Sequence, residues 1–106
     1  MQSTTAYYSI FSDQIAYFYI ENKILYAITP DKKEHVIDFS LENLEAELNP
    51  DLFFRVSRST IINAKYIQKF ENYFGGKLKV RLIPPFDTSI SVSRSKASQF
   101  KLWMGK

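Results

Sequence analysis

Short apolar runs separated by brief polar breaks dominate the chain, and a helical period is rare. Residues 6–11, 15–20 and 24–29 are rich in β-branched and aromatic side chains, which predicts strands. Glu21-Asn22-Lys23 supplies a short polar turn between the second and third of these. Thr29-Pro30-Asp31-Lys32-Lys33 is turn chemistry, because Pro presets φ and Asp bonds its own backbone. Residues 35–39 then read as the returning strand of a hairpin. The period changes at Ser40. Leu41, Leu44 and Leu48 fall at i, i+3 and i+7, one face of a helix, with Ser40 as N-cap and Glu42 in the first turn. Asn49-Pro50-Asp51 ends it, since the residue before Pro is pushed out of the α region.

The second half returns to strands at 53–56, 60–63 and 66–74, with Ser57-Arg58-Ser59 between the first two. Gly75-Gly76 signals a two-residue hairpin turn, because types I′ and II′ need positive φ. Lys77-Leu78-Lys79-Val80-Arg81-Leu82 alternates polar and apolar without a break, which predicts a sheet with one wet, basic face. Pro84-Pro85 interrupts the pattern, and residues 89–93 alternate again. Residues 94–104 place Ala97, Phe100 and Met104 at helical spacing, capped by Ser93 or Ser95. Phe53, Phe54, Ile61, Ile62 and Ile67 are expected core, and Asn63 is expected to cap a turn. The fold class is therefore mainly β, with one short helix near 41–48 and a C-terminal helix. No internal repeat or linker divides the 106 residues, so one domain is expected, with residues 1–14 peripheral.

Charge sharpens this picture. Residues 1–54 carry three basic and nine acidic side chains, a net of −6. Residues 55–106 carry eleven basic and two acidic ones, a net of +9. A total of +3 thus hides a split that points to a polyanion partner, or else to two halves that intermix in space. The absence of cysteine excludes a disulfide framework, a thiolate metal site and a Cys nucleophile. A lone histidine, His35, excludes a multi-His metal site and leaves little imidazole chemistry. No glycine-rich phosphate loop or hydrolase signature occurs. Glu42, Glu45 and Glu47 read as a solvated helix face. No enzyme, metal or cofactor is expected. Nothing resembles a signal peptide or a membrane span, so a cytoplasmic protein is expected.

Two segments carry the remaining chemistry. Phe54-Arg55-Val56-Ser57-Arg58-Ser59-Thr60-Ile61-Ile62-Asn63 has apolar ends and a Ser-Arg-Ser centre. Ile90-Ser91-Val92-Ser93-Arg94-Ser95-Lys96 runs a strand into a Ser/Arg/Lys patch. Arginine can fork onto guanine or phosphate, and serine hydroxyls bind phosphate oxygens. Equally, Arg58 and Arg94 could pair with acids of the first half.

The combination resembles the LytTR domain, the DNA-binding module of LytR/AlgR-type bacterial response regulators. In that family a short helix precedes a stretch of the form F-x-R-x-H-R-S-x-I-V-N, then a hairpin, then a V-S-R-like motif before a C-terminal helix. Leu41 to Leu48, Phe54 to Asn63, Gly75-Gly76 and Val92-Ser93-Arg94 stand in that order here. The resemblance implies an elongated arrangement of small antiparallel sheets that reads successive major grooves through loops. It implies base contacts by Arg58 and Arg94, with Ser59 and Arg55 near phosphate, Ser95 and Lys96 beside Arg94, and Asn22 and Lys23 in the first loop. It further implies double-stranded DNA as partner, at direct-repeat promoter sites, with a homodimer on DNA and a receiver domain in a full-length regulator. Two departures stand out. Ser57 replaces the family's usual His, and the first loop is about two residues shorter. Two other classes compete: a small all-β interaction module, and a single-stranded nucleic-acid binder using Tyr66, Phe70 and Tyr73.

Overall fold

A computed structural model describes residues 14–83 and 90–105. The expected strand at 6–11 and the Pro84-Pro85 break lie outside the described residues. The first sheet contains β1 (Tyr17–Glu21), β2 (Ile24–Ile28), β3 (Glu34–Ile37), β4 (Phe53–Ser57) and β5 (Thr60–Asn63). Its order is β3-β2-β1-β5-β4, and every pairing is antiparallel. The second sheet contains β6 (Ile67–Asn72), β7 (Leu78–Leu82) and β8 (Ile90–Val92) in that order, also antiparallel. Helix α1 (Leu41–Glu47) crosses over between β3 and β4, and α2 (Ala97–Met104) closes the described chain.

The first sheet is covered on both faces. Phe18, Leu25, Ala27, Phe53 and Ile61 look toward α1, where they meet Leu41, Leu44 and Leu48. Val56 and Ile62 look the other way, onto Leu78, Val80, Leu82 and Val92 of the second sheet and onto Phe100 of α2. Neighbouring residues of β5, Ile61 and Ile62, therefore belong to different cores. The period of two along a strand explains this directly. α1 has only seven residues, too few to stand alone, so its three leucines hold it, at about 1.5–3 kcal/mol per fully buried side chain. Ser40 caps it as expected, its Oγ accepting from the Asn43 N–H at 3.0 Å.

Three expectations are corrected. Tyr66, expected to begin a strand, instead ends a 3₁₀ turn over residues 64–66, and the strand runs from Ile67 to Asn72. Asn63 drives that turn: its Oδ1 accepts from the Lys65 N–H at 2.8 Å. The β6–β7 loop is longer than two residues. The Tyr73 N–H donates to the Lys77 carbonyl at 2.9 Å, closing the loop around Phe74, Gly75 and Gly76. A two-residue loop would slip the register by one and turn Phe70 out to water. In the observed register Phe70 faces Val80 and packs on Phe100 at 5.1 Å. Finally, residues 94–96 form a 3₁₀ turn ahead of α2, and neither Ser93 nor Ser95 caps that helix through its side chain.

Asn63 is fully buried, and its Nδ2 donates to the Ile15 carbonyl at 2.9 Å. It thus joins β5, the 64–66 turn and the entry to β1. Asn63→Ala is expected to leave buried backbone groups unpaired and to cost about 1–3 kcal/mol. Urea unfolding should show a lower midpoint at unchanged m-value. An unchanged midpoint would refute this bridging role.

Candidate nucleic-acid interface

Strand registers bring four connections to one end of the molecule. Glu21 pairs with Ile24, so Asn22 and Lys23 form the β1–β2 turn, with φ values of 53° and 67°. The Ile20 N–H donates to the Ser59 carbonyl at 2.9 Å, which sets the β4–β5 turn beside it. The Ser93 N–H donates to the Val56 carbonyl at 3.0 Å, so the β8–α2 connection leaves at the same end. Leu78 pairs with Val92, which brings the β6–β7 loop there too. Between them lies an open groove of about 610 Å³, lined by Tyr19, Ser57, Thr60, Lys77, Ser91 and Ser93 among others. At its edge the Tyr19 hydroxyl donates to Glu34 at 2.7 Å, and this bond holds the Tyr19 pKa well above the usual tyrosine value.

Arg58, Ser59, Arg94 and Ser95 are exposed at this end, as are Asn22 and Lys23. None of their side chains joins an ion pair among the described residues. Arg58 and Arg94 thus do not pair with the described acids of the first half. A different arginine does. Arg55 lies on the α1 side of β4 with its side chain only 15% exposed, and it reaches Glu42 and Glu45 at 3.2 Å each. Its Nε donates to the Ser57 carbonyl at 3.2 Å, and an Nη donates to the Arg58 carbonyl at 2.6 Å. The guanidinium therefore clamps the Arg58-bearing turn to the helix.

Lys96 is partly buried, and its Nζ stands 6.0 Å from the centre of the Phe54 ring. Ser59 Oγ sits 3.4 Å from Thr60 Oγ1, and Ser95 Oγ is 3.4 Å from Ser93 Oγ. Both hydroxyls remain at the surface. In the sequence Gly76 marks only a turn. A Cβ there would lie 3.1 Å from Arg94 Cγ, so the Arg94 side chain rests on the bare glycine. Eighteen positions separate the two residues, and no local signal could have joined them. Among the described residues no cluster of His, Cys, Asp or Glu could hold a metal ion. None of their helices is long and apolar enough to cross a membrane.

The family model of the LytTr DNA-binding domain matches residues 5–105. The chain belongs to the LytTR family. Two curated proteins are similar to this LytTR chain. An uncharacterized response regulatory protein of Vibrio cholerae is 30% identical over 93 residues, covering 76% of this chain and 34% of that protein. The sensory transduction protein LytR of Staphylococcus epidermidis is 30% identical over 84 residues, covering 79% and 32%. The chain thus spans about a third of the length of these relatives. In fold, it is similar to the LytTr DNA-binding domain of a response regulator from Bacillus cereus. The TM-score is 0.79 at 24% identity, covering 88% of this chain and 83% of that one. The mainly β LytTR architecture expected from the sequence is therefore the one observed.

Two outcomes follow from this geometry. Gly75 and Gly76 both have positive φ, 75° and 78°, but a Cβ on Gly75 would meet nothing within 4 Å. Alanine at either position should cost about 1–2 kcal/mol of backbone strain. Only Gly76→Ala should also disturb Arg94, read as a change in its guanidinium NMR resonance. The same change in Gly75→Ala would refute the contact. The second outcome concerns pH. Its own backbone N–H, and then Arg55, hold the Glu42 carboxyl below its ordinary value of 4.5. The stabilisation is therefore complete above that value and fades as pH falls through the lower folded one. Acid titration followed by circular dichroism should show a shallower loss for Glu42→Gln than for wild type, and parallel profiles would show that the contact contributes nothing.

Proposed function

We propose that this LytTR chain binds double-stranded DNA sequence-specifically as the output domain of a cytoplasmic bacterial regulator, and that it binds without catalysis. The observation that carries this reading is the gathering of unpaired Arg58 and Arg94 at one end of a rigid two-core scaffold, in a chain of a DNA-binding family. Arg58 and Arg94 read base edges in major grooves. Ser59, Ser95, Lys96, Asn22 and Lys23 meet sugar and phosphate. Arg55 works from behind, fixing the path of residues 57–58 rather than reaching phosphate. Direct-repeat promoter sites, a second copy on the same DNA and an attached receiver domain belong to the same reading. All 106 residues act as one binding unit.

Of the three rings named for the single-stranded alternative, only Tyr73 is exposed. Tyr66 and Phe70 are partly buried, and Phe70 packs on Phe100.

Selection of bound duplexes from a random pool should return a preferred site. On that site Arg58→Ala and Arg94→Ala should each cost about 1–3 kcal/mol, and much less on random duplex. Lys23→Ala should weaken both duplexes alike and lower the slope of log affinity against log salt by about 0.9. Equal losses on target and random DNA for the arginine variants would sink base readout.

A further inference from the structure

The tip of the β6–β7 loop carries two aromatic rings that serve neither core. Phe74 is 74% exposed and Tyr73 is 41% exposed, whereas every other described aromatic residue is buried or partly buried. Neither ring packs in either hydrophobic cluster. Their centres lie 4.8 Å apart, and Lys79 Nζ stands 5.3 Å from the centre of the Tyr73 ring. The loop is not slack. The bond between the Tyr73 N–H and the Lys77 carbonyl closes it, and two glycines at positive φ define its path.

Leu102 and Val36 are comparably exposed, but the tip differs in presenting two adjacent aromatic rings beside a lysine. Lys77 flanks the tip in sequence, Lys79 follows it, and the Arg94 side chain lies against Gly76. The nearest acid along the strand, Glu71, faces Lys69 at 3.8 Å. An apolar tip with Lys79 over one ring and Arg94 against its glycine suits a stacked base step between two phosphate rows. An aromatic wedge can enter such a step, partly unstack it and bend the duplex.

We propose that Phe74 is a DNA wedge, packing against a base step beside the groove that Arg94 reads, with Tyr73 behind it and Lys77 and Lys79 toward the flanking phosphates. The proposal rests on the DNA-binding reading above and adds a contact that no arginine supplies.

The test uses the full chain and its selected duplex, with 2-aminopurine placed in turn at steps flanking the Arg94 contact. Wild type should raise the fluorescence at one step, the mark of unstacking. Phe74→Ala should abolish that rise and weaken binding about tenfold or more. It should leave the melting temperature and the penalty of Arg94→Ala unchanged. Phe74→Trp should keep both the signal and the affinity. A Phe74→Ala variant that binds and unstacks like wild type would overturn the wedge while leaving base readout intact. Self-association without DNA, or binding to anionic phospholipid vesicles, that is lost in Phe74→Ala would assign the tip to another partner and overturn it equally. A wild-type chain that retards no duplex at low salt would overturn the wedge together with DNA binding itself.

Discussion

One strand is buried on both sides, and the rest of the molecule is arranged around it. Ile61 and Ile62 of β5 are almost wholly inaccessible, the first beneath α1 and the second against the second sheet and α2. A strand in that position cannot shift by one residue without exchanging the two cores. Its register to β1 and β4 is thereby pinned, and with it the turn that connects β4 to β5. Asn63 continues the restraint past the end of the strand, because its amide reaches back to Ile15 and its carbonyl oxygen forward to Lys65.

That rigidity matters because the exposed polar turns have few restraints of their own. The 57–59 turn is held by the sheet on one side and by Arg55 on the other. Arg55 illustrates how charge is divided in this chain. The acids of the first half and the bases of the second do meet, but through an arginine bonded to α1 and to the turn backbone. Such partly exposed pairs add modest stability. Their larger consequence is geometric: one cation is absorbed into the scaffold, and Arg58 and Arg94 are left facing water. The +9 of the second half therefore overstates the charge available at the surface.

Much of the fold was legible because it is local. Alternation in residues 77–82, the leucine spacing of α1, its serine cap and the proline that follows it each encode one element. The candidate site was legible as motifs, since Ser-Arg-Ser and Ser-Arg-Ser-Lys mark where polar turns interrupt apolar strands. What remained hidden concerns partners. Arg55 and Arg58 look alike in the sequence, yet a bulge between Arg55 and Ser57 and the facing helix turn one inward and leave the other outside. The length of the β6–β7 loop is likewise hidden, because Gly75-Gly76 satisfies a two-residue turn locally while the core demands the register that keeps Phe70 inside.

By itself, the amino-acid order determined the element types, the sheet-dominated class and the two basic segments. Each of those depends on side-chain period, turn chemistry and charge within a few neighbouring residues. Only the tertiary structure decided which ends of which strands meet, that Arg94 lies across Gly76, that Arg55 is a clamp, and that Tyr73 and Phe74 are left without a core to enter. These are decided by packing between segments distant in the chain. The number of ways a short pattern can be partnered is large, and close-packing of two cores against one shared sheet selects among them.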